Sequence, residues 1–166
     1  RRALILRDAA RGVAVVALSR SRVHELPRAA LSHPAARVWL AANRPVYVFD
    51  AKALIRDGLP FDPENVRDLM LIWYLLEPGR RSYDGGALVA KEFRNAPPPA
   101  SADEIAARLL AIAPRLEERR GAEALRGVYD EIEAPLVPIL AAMEERGIGF
   151  DAKPLAALSK KMAREL

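Results

Sequence analysis

The side chains able to do chemistry in this sequence are carboxylates. There are 22 aspartates and glutamates, against no cysteine and two histidines. The absence of cysteine excludes disulfides, thiol nucleophiles, Cys-based zinc sites and iron–sulfur clusters. His24 and His33 have no carboxylate at ligand spacing, and both read as solvated surface residues rather than as a base or metal ligands. Carboxylates are hard donors, so the chemistry left open is that of divalent cations held by oxygen.

The chain around them has 166 residues and is 51% hydrophobic, which suits one domain, or one with part of the next. Its apolar runs are short, none near the roughly 20 residues of a membrane span. The N-terminal Ala3-Leu4-Ile5-Leu6 is interrupted by Arg7 and Asp8, unlike a signal peptide. A soluble, cytoplasmic globular protein with no membrane partner is expected. The net charge of +4 is mild and its arginines are scattered, so it permits a polyanionic partner without demanding one.

Turn and cap signals divide the chain. Ala3–Leu6 and Val13–Leu18 read as strands joined by a charged turn ending in Gly12, with a third strand over Arg22–Leu26. A helix over Pro34–Asn43, capped by Ser32 or His33, precedes a buried strand, Val46–Phe49. Asp50 caps a helix over Ala51–Arg56 that Gly58 stops. From Asn65 the apolar positions Val66, Leu69, Met70, Trp73 and Leu76 recur at helical spacing up to Pro78. Gly85–Phe93 is a short helix. Asn95–Pro99 is a stiff connector, and Ser101 with Glu104 opens a helix over Ala102–Arg120. After Gly121 a longer helix runs from about Ala122 to Arg146, with Pro135 and Pro138 predicting a kink near Glu133. Gly147–Phe150 is extended, and Asp151 caps a last helix that reaches the end of the sequence. Residues 1–120 thus read as an α/β unit and 121–166 as a helical extension.

Two segments carry a recognisable pattern. Asp68-Leu69-Met70-Leu71-Ile72-Trp73-Tyr74-Leu75-Leu76-Glu77-Pro78 resembles a helix in the 3′–5′ exonuclease domain of bacterial family A DNA polymerases. Glu131 to Leu140, with Met143-Glu144 and Gly147-Ile148-Gly149-Phe150-Asp151, resembles that family's junction between the exonuclease domain and the polymerase thumb. The resemblance implies a ribonuclease-H-like fold: a mixed sheet flanked by helices over residues 1–120, then the linking helix and start of the thumb over 121–166. It also implies a piece of a longer polymerase, with the 5′-nuclease domain outside it and the polymerase carboxylates and their Mg2+ beyond Leu166. DNA would be met mainly through the parent polymerase, and the rest of that chain would be the other partner.

Active members of the family hold two metal ions in carboxylates from three motifs. Here the first, Asp-x-Glu on the first strand, falls on Ile5 and Arg7. The second, Asn-x-x-x-Asp, falls on Asp50 and Leu54. The third, Tyr-x-x-x-Asp, falls on Pro97 and Ser101. The expectation is a structurally retained but catalytically silent exonuclease domain, a form known in some members, with no catalytic, metal or cofactor residues of its own. The alternative is an active exonuclease with an altered set: Asp8, Asp50, Asp68 and Asp103. A third reading gives Lys153, Lys160, Lys161 and Arg164 to DNA phosphates, with weak, salt-sensitive binding.

Overall fold

The first two strand runs are apolar on both faces and buried, while the third, Val23–Pro27, is a largely exposed edge that pairs with the second. In the structure, a computed structural model describing residues 2–42, 45–149 and 151–165, β1 (Ala3–Asp8), β2 (Val13–Ala17) and β3 (Val23–Pro27) form an antiparallel meander. β4 (Val46–Phe49) then pairs parallel with β1, and β5 (Val66–Asp68) parallel with β4, giving the order β3-β2-β1-β4-β5. Parallel neighbours need a crossover. One is supplied by a 3₁₀ turn (Arg28–Ser32) and α1 (Pro34–Ala42), the next by α2 (Ala51–Arg56). This is the mixed α/β, ribonuclease-H-like architecture expected.

Strand alternation deals the core to two layers. Leu4, Leu6, Val15, Tyr47 and Phe49 pack under α3 (Leu69–Leu76), α4 (Gly85–Glu92) and α5 (Ala102–Ala122), with Trp73 and Leu109 fully buried. Ile5, Ala14, Val16, Val46 and Val48 face the other way, against Leu40, Leu54 and Val137. Val137 belongs to α6 (Ala134–Arg146), so the helical extension lies against α2. α7 (Ala152–Glu165) follows, capped as expected by Asp151, whose carboxylate accepts the Lys153 N–H at 3.0 Å.

The structure departs from the expected elements where tertiary pairing overrides local pattern. Val66–Asp68, read as the first turn of a helix, is instead a strand, because Val66 completes the sheet beside Val46. The helix starts at Leu69 with Asp68 as its cap. His24 lies in β3, exposed. His33, not Ser32, serves α1, its Nδ1 accepting the Ala35 N–H at 3.2 Å, while Ser32 bonds back to Ala29. Gly121 does not break α5, which ends at Ala122; the break comes at Ala124, a non-glycine residue at φ +55°. The kink expected near Glu133 is a π-helical turn, Val128–Glu133, next to the prolines that cannot donate to the ladder. The expected helix end at Asn43 and the strand residue Phe150 lie outside the described residues, as does Leu166. Among the described residues, no helix is long and apolar enough to cross a membrane.

Gly58 stops α2 as predicted. It sits at φ +95°, and a Cβ there would meet the Ser32 Cβ at 2.7 Å. Gly58→Ala is therefore expected to destabilise the fold by about 2 kcal/mol in urea denaturation, from left-handed strain and the forced approach together.

Candidate functional site

The four aspartates of the altered carboxylate set fall into two separate pairs. Asp8 ends β1. Its carboxylate accepts the N–H groups of Ala10 and Arg11, both at 3.1 Å, which closes the turn into β2. It also takes the Arg11 Nε at 2.6 Å. The rest of that guanidinium reaches Glu25 on β3 and, at 3.2 Å, Asp103 in the first turn of α5. One cation thus sits among three carboxylates from three elements. The Arg11 hydrogen bond holds the Asp8 carboxyl below its usual range, and the carboxylates, Asp8 foremost, raise the Arg11 pKa.

Asp50 and Asp68 form the second pair, at the C-terminal ends of β4 and β5. Asp50 adopts a left-handed conformation, φ 62° and ψ 72°, and caps α2 by accepting the Ala53 N–H at 3.1 Å. Its own N–H donates to Asp68 Oδ1 at 3.2 Å. Asp68, 2% exposed, also accepts the N–H groups of Ala51 at 2.8 Å and Met70 at 2.9 Å. Its carboxylate therefore terminates two helices at once, α2 and α3, with no ion pair among the described residues. Burial, opposed by these amides, pushes its pKa up to about 6.

The main chain of Asp68 is held from the far side. Its N–H donates to the Tyr129 hydroxyl at 2.7 Å. Tyr129 is fully buried and comes from the π-helical turn that leads into α6. Arg120, 5% exposed, stacks 4.8 Å from the Tyr129 ring centre and bonds to Glu117 at 2.7 Å and Asp130 at 3.2 Å. Burial disfavours the Arg120 cation, but Glu117 and Asp130 outweigh it and its pKa rises. Burial foremost also raises the Tyr129 phenol above its usual range.

The positions matched to the family's motifs hold other groups. Ile5 is buried at 2% exposure on the sheet face opposite Leu4 and Leu6, and Leu54 is fully buried. Arg7 binds Asp57 at 2.7 Å, an acid shared with Arg28 at 3.0 Å. Ser101 caps α5 by accepting the Glu104 N–H at 3.3 Å, and the Pro97 carbonyl takes the Arg108 guanidinium at 2.7 Å. Among the described residues, no group of three or more His, Asp or Glu is placed to hold a metal ion. Lys153, Lys160, Lys161 and Arg164 all lie exposed on α7 or at its start.

Comparison with known proteins agrees with this arrangement at the level of the family. The chain is 32% identical over 160 residues, 93% of its length, to a thermostable DNA polymerase I of Thermus filiformis. It is 31% identical over 157 residues to the thermostable DNA polymerase I of Thermus aquaticus. The chain is homologous to a segment of bacterial DNA polymerase I. A further DNA polymerase I, from Rhizobium leguminosarum, matches 49 residues at 45% identity. The chain spans 17% and 18% of the two Thermus polymerases. No family model and no solved structure matches it. Sequence reasoning about this DNA polymerase I segment missed Arg11, Glu25, Tyr129 and Arg120. Only the separation of 92 residues closed between Arg11 and Asp103 makes the first two meaningful, and no local signal marks it.

Two outcomes follow from the buried polar chain. Because folding raises the Asp68 pKa from 3.8 to about 6, its contribution to stability is full below about pH 4 and is lost as pH rises through about 6. The stability advantage of the parent chain over Asp68→Asn, measured by denaturant titration, should therefore be larger at pH 4 than at pH 7. Tyr129→Phe removes the acceptor for the buried Asp68 N–H and should destabilise by about 1–3 kcal/mol in the same assay, without exposing apolar surface.

Proposed function

We propose that this segment is a structurally retained, catalytically silent 3′–5′ exonuclease-like domain of a DNA polymerase, continued from about residue 121 by the linking helix and the start of the thumb. The observation that carries the reading is the Arg11 guanidinium lodged among Asp8, Glu25 and Asp103. Phosphodiester cleavage of this kind needs a hard cation that polarises phosphate and lowers the pKa of a bound water. A guanidinium neutralises carboxylates but has no open coordination position and generates no hydroxide. The donor set does not fit two divalent ions. Asp68 spends its oxygens on three main-chain amides, and Ile5 and Leu54 offer no donor at all.

In this reading the segment's work is mechanical. α6 is fastened to the α/β unit by Val137 in the core and by the Lys52–Glu144 ion pair between α2 and α6. DNA replication and repair, the Mg2+ that polymerisation requires, and a cytoplasmic setting then belong to the parent polymerase, with the rest of that chain as the immediate partner.

One observation favours the altered exonuclease instead: Asp8 and Asp103 do converge on a shared cation. The two readings separate in a trimming assay. With Mg2+ or Mn2+ and a 5′-labelled single-stranded oligonucleotide, the 166-residue chain should leave the substrate at full length. Metal-dependent shortening that Asp8→Ala or Asp103→Ala abolishes would overturn the silent reading.

A further inference from the structure

An open groove of about 670 Å3 lies between the end of α4, residues 93–96 and one face of α5. Four cations line it, Lys91, Arg94, Arg115 and Arg119, against two carboxylates, Glu77 and Glu92. Both acids are already saturated. Glu77 takes Lys91, Arg80 at 3.4 Å and Arg119 at 3.6 Å. Glu92, its side chain only 7% exposed, takes Arg115 at 3.2 Å and Arg119 at 3.9 Å. Fastening α4 to α5 through Glu92 needs one arginine, and two are present. Arg115 spends a single Nη1 on that pair while its side chain stays 67% exposed. Arg94 is exposed and makes no hydrogen bond or ion pair among the described residues.

The groove therefore carries more guanidinium donors than its own acids use. Planar guanidinium forks match the paired oxygens of a phosphodiester, and an unneutralised basic groove attracts a polyanion whatever its sequence. Arg115 lies 12 residues beyond Asp103 in one continuous helix, about 18 Å along its axis at 1.5 Å per residue. The groove is thus remote from the Asp8–Arg11–Asp103 cluster and independent of whether that cluster has any chemistry.

We propose that this groove binds the phosphodiester backbone of single-stranded DNA, with Arg94 and Arg115 making the phosphate contacts. The choice of DNA over another polyanion rests on the polymerase reading above. The test is fluorescence anisotropy of a labelled oligothymidine with the 166-residue chain in EDTA, between about 50 and 200 mM salt. Arg94→Ala breaks no hydrogen bond or ion pair among the described residues and should weaken binding about fivefold at low salt. Arg94→Ala/Arg115→Ala should flatten the slope of log Kd against log salt by about 1.4, the value for two single-strand phosphate contacts. Thermal melts by circular dichroism verify that both variants fold. Lys160→Ala/Lys161→Ala removes the same charge from α7 and should leave the slope nearly unchanged. The proposal is overturned if Arg94→Ala binds like the parent chain, if the α7 variant loses as much as the groove variant, or if poly-glutamate displaces the oligonucleotide as readily as unlabelled DNA does. Metal-dependent trimming, measured separately, would remove the silent reading and leave the groove untouched.

Discussion

A carboxylate with almost no solvent must be satisfied by the protein, and much of this fold is arranged around that requirement at Asp68. Its two oxygens accept main-chain N–H groups from Asp50, Ala51 and Met70, so one side chain ends β5, opens α3 and anchors the start of α2. The helix N-termini supply partial positive charge where, among the described residues, no lysine or arginine is paired with it. The backbone of the same residue is tied to Tyr129, which brings in the π-helical turn and with it α6. Sheet, crossover helix and helical extension therefore share one buried polar node.

A second arrangement shows how an acidic cluster persists without a metal. Asp8, Glu25 and Asp103 would repel one another if left alone at the end of β1. Arg11 supplies the missing positive charge from within the chain and fastens the meander to α5. Such exposed pairs contribute little individually, but three acids on one guanidinium fix its geometry. The same logic recurs at Asp57, shared by Arg7 and Arg28, and at Glu77, shared by Lys91, Arg80 and Arg119. About half of the arginine that looked scattered in the sequence forms ion pairs or hydrogen bonds, and Arg94 is one of several arginines that make none among the described residues.

Much of the fold was legible in the sequence. Val46–Phe49 is a strand, Asp50, Ser101 and Asp151 are caps, Gly58 is a stop, and the prolines at 135 and 138 do mark a discontinuity. Each rests on a local rule, a φ preference, a missing N–H or a side chain reaching two or three residues along. Val66–Asp68 was misread because strand and helix patterns coincide over three residues, and the parallel partner at Val46–Val48 decided between them. The candidate site was legible only as a list of acids.

By itself, then, the sequence determined most of the element order (β5 excepted), the mixed α/β class, the relation to a polymerase segment and the absence of acids at the positions of Ile5, Arg7 and Leu54. Tertiary structure alone decided that Asp8 and Asp103 meet across Arg11, that Asp68 is a buried node rather than a helix residue, and that Arg94 and Arg115 face an open groove. The reason is range. Caps and turns are short covalent neighbourhoods, whereas a charge finds its partner only after the chain has closed over tens of residues, and the cost of leaving it unpaired depends on a burial that no local pattern encodes.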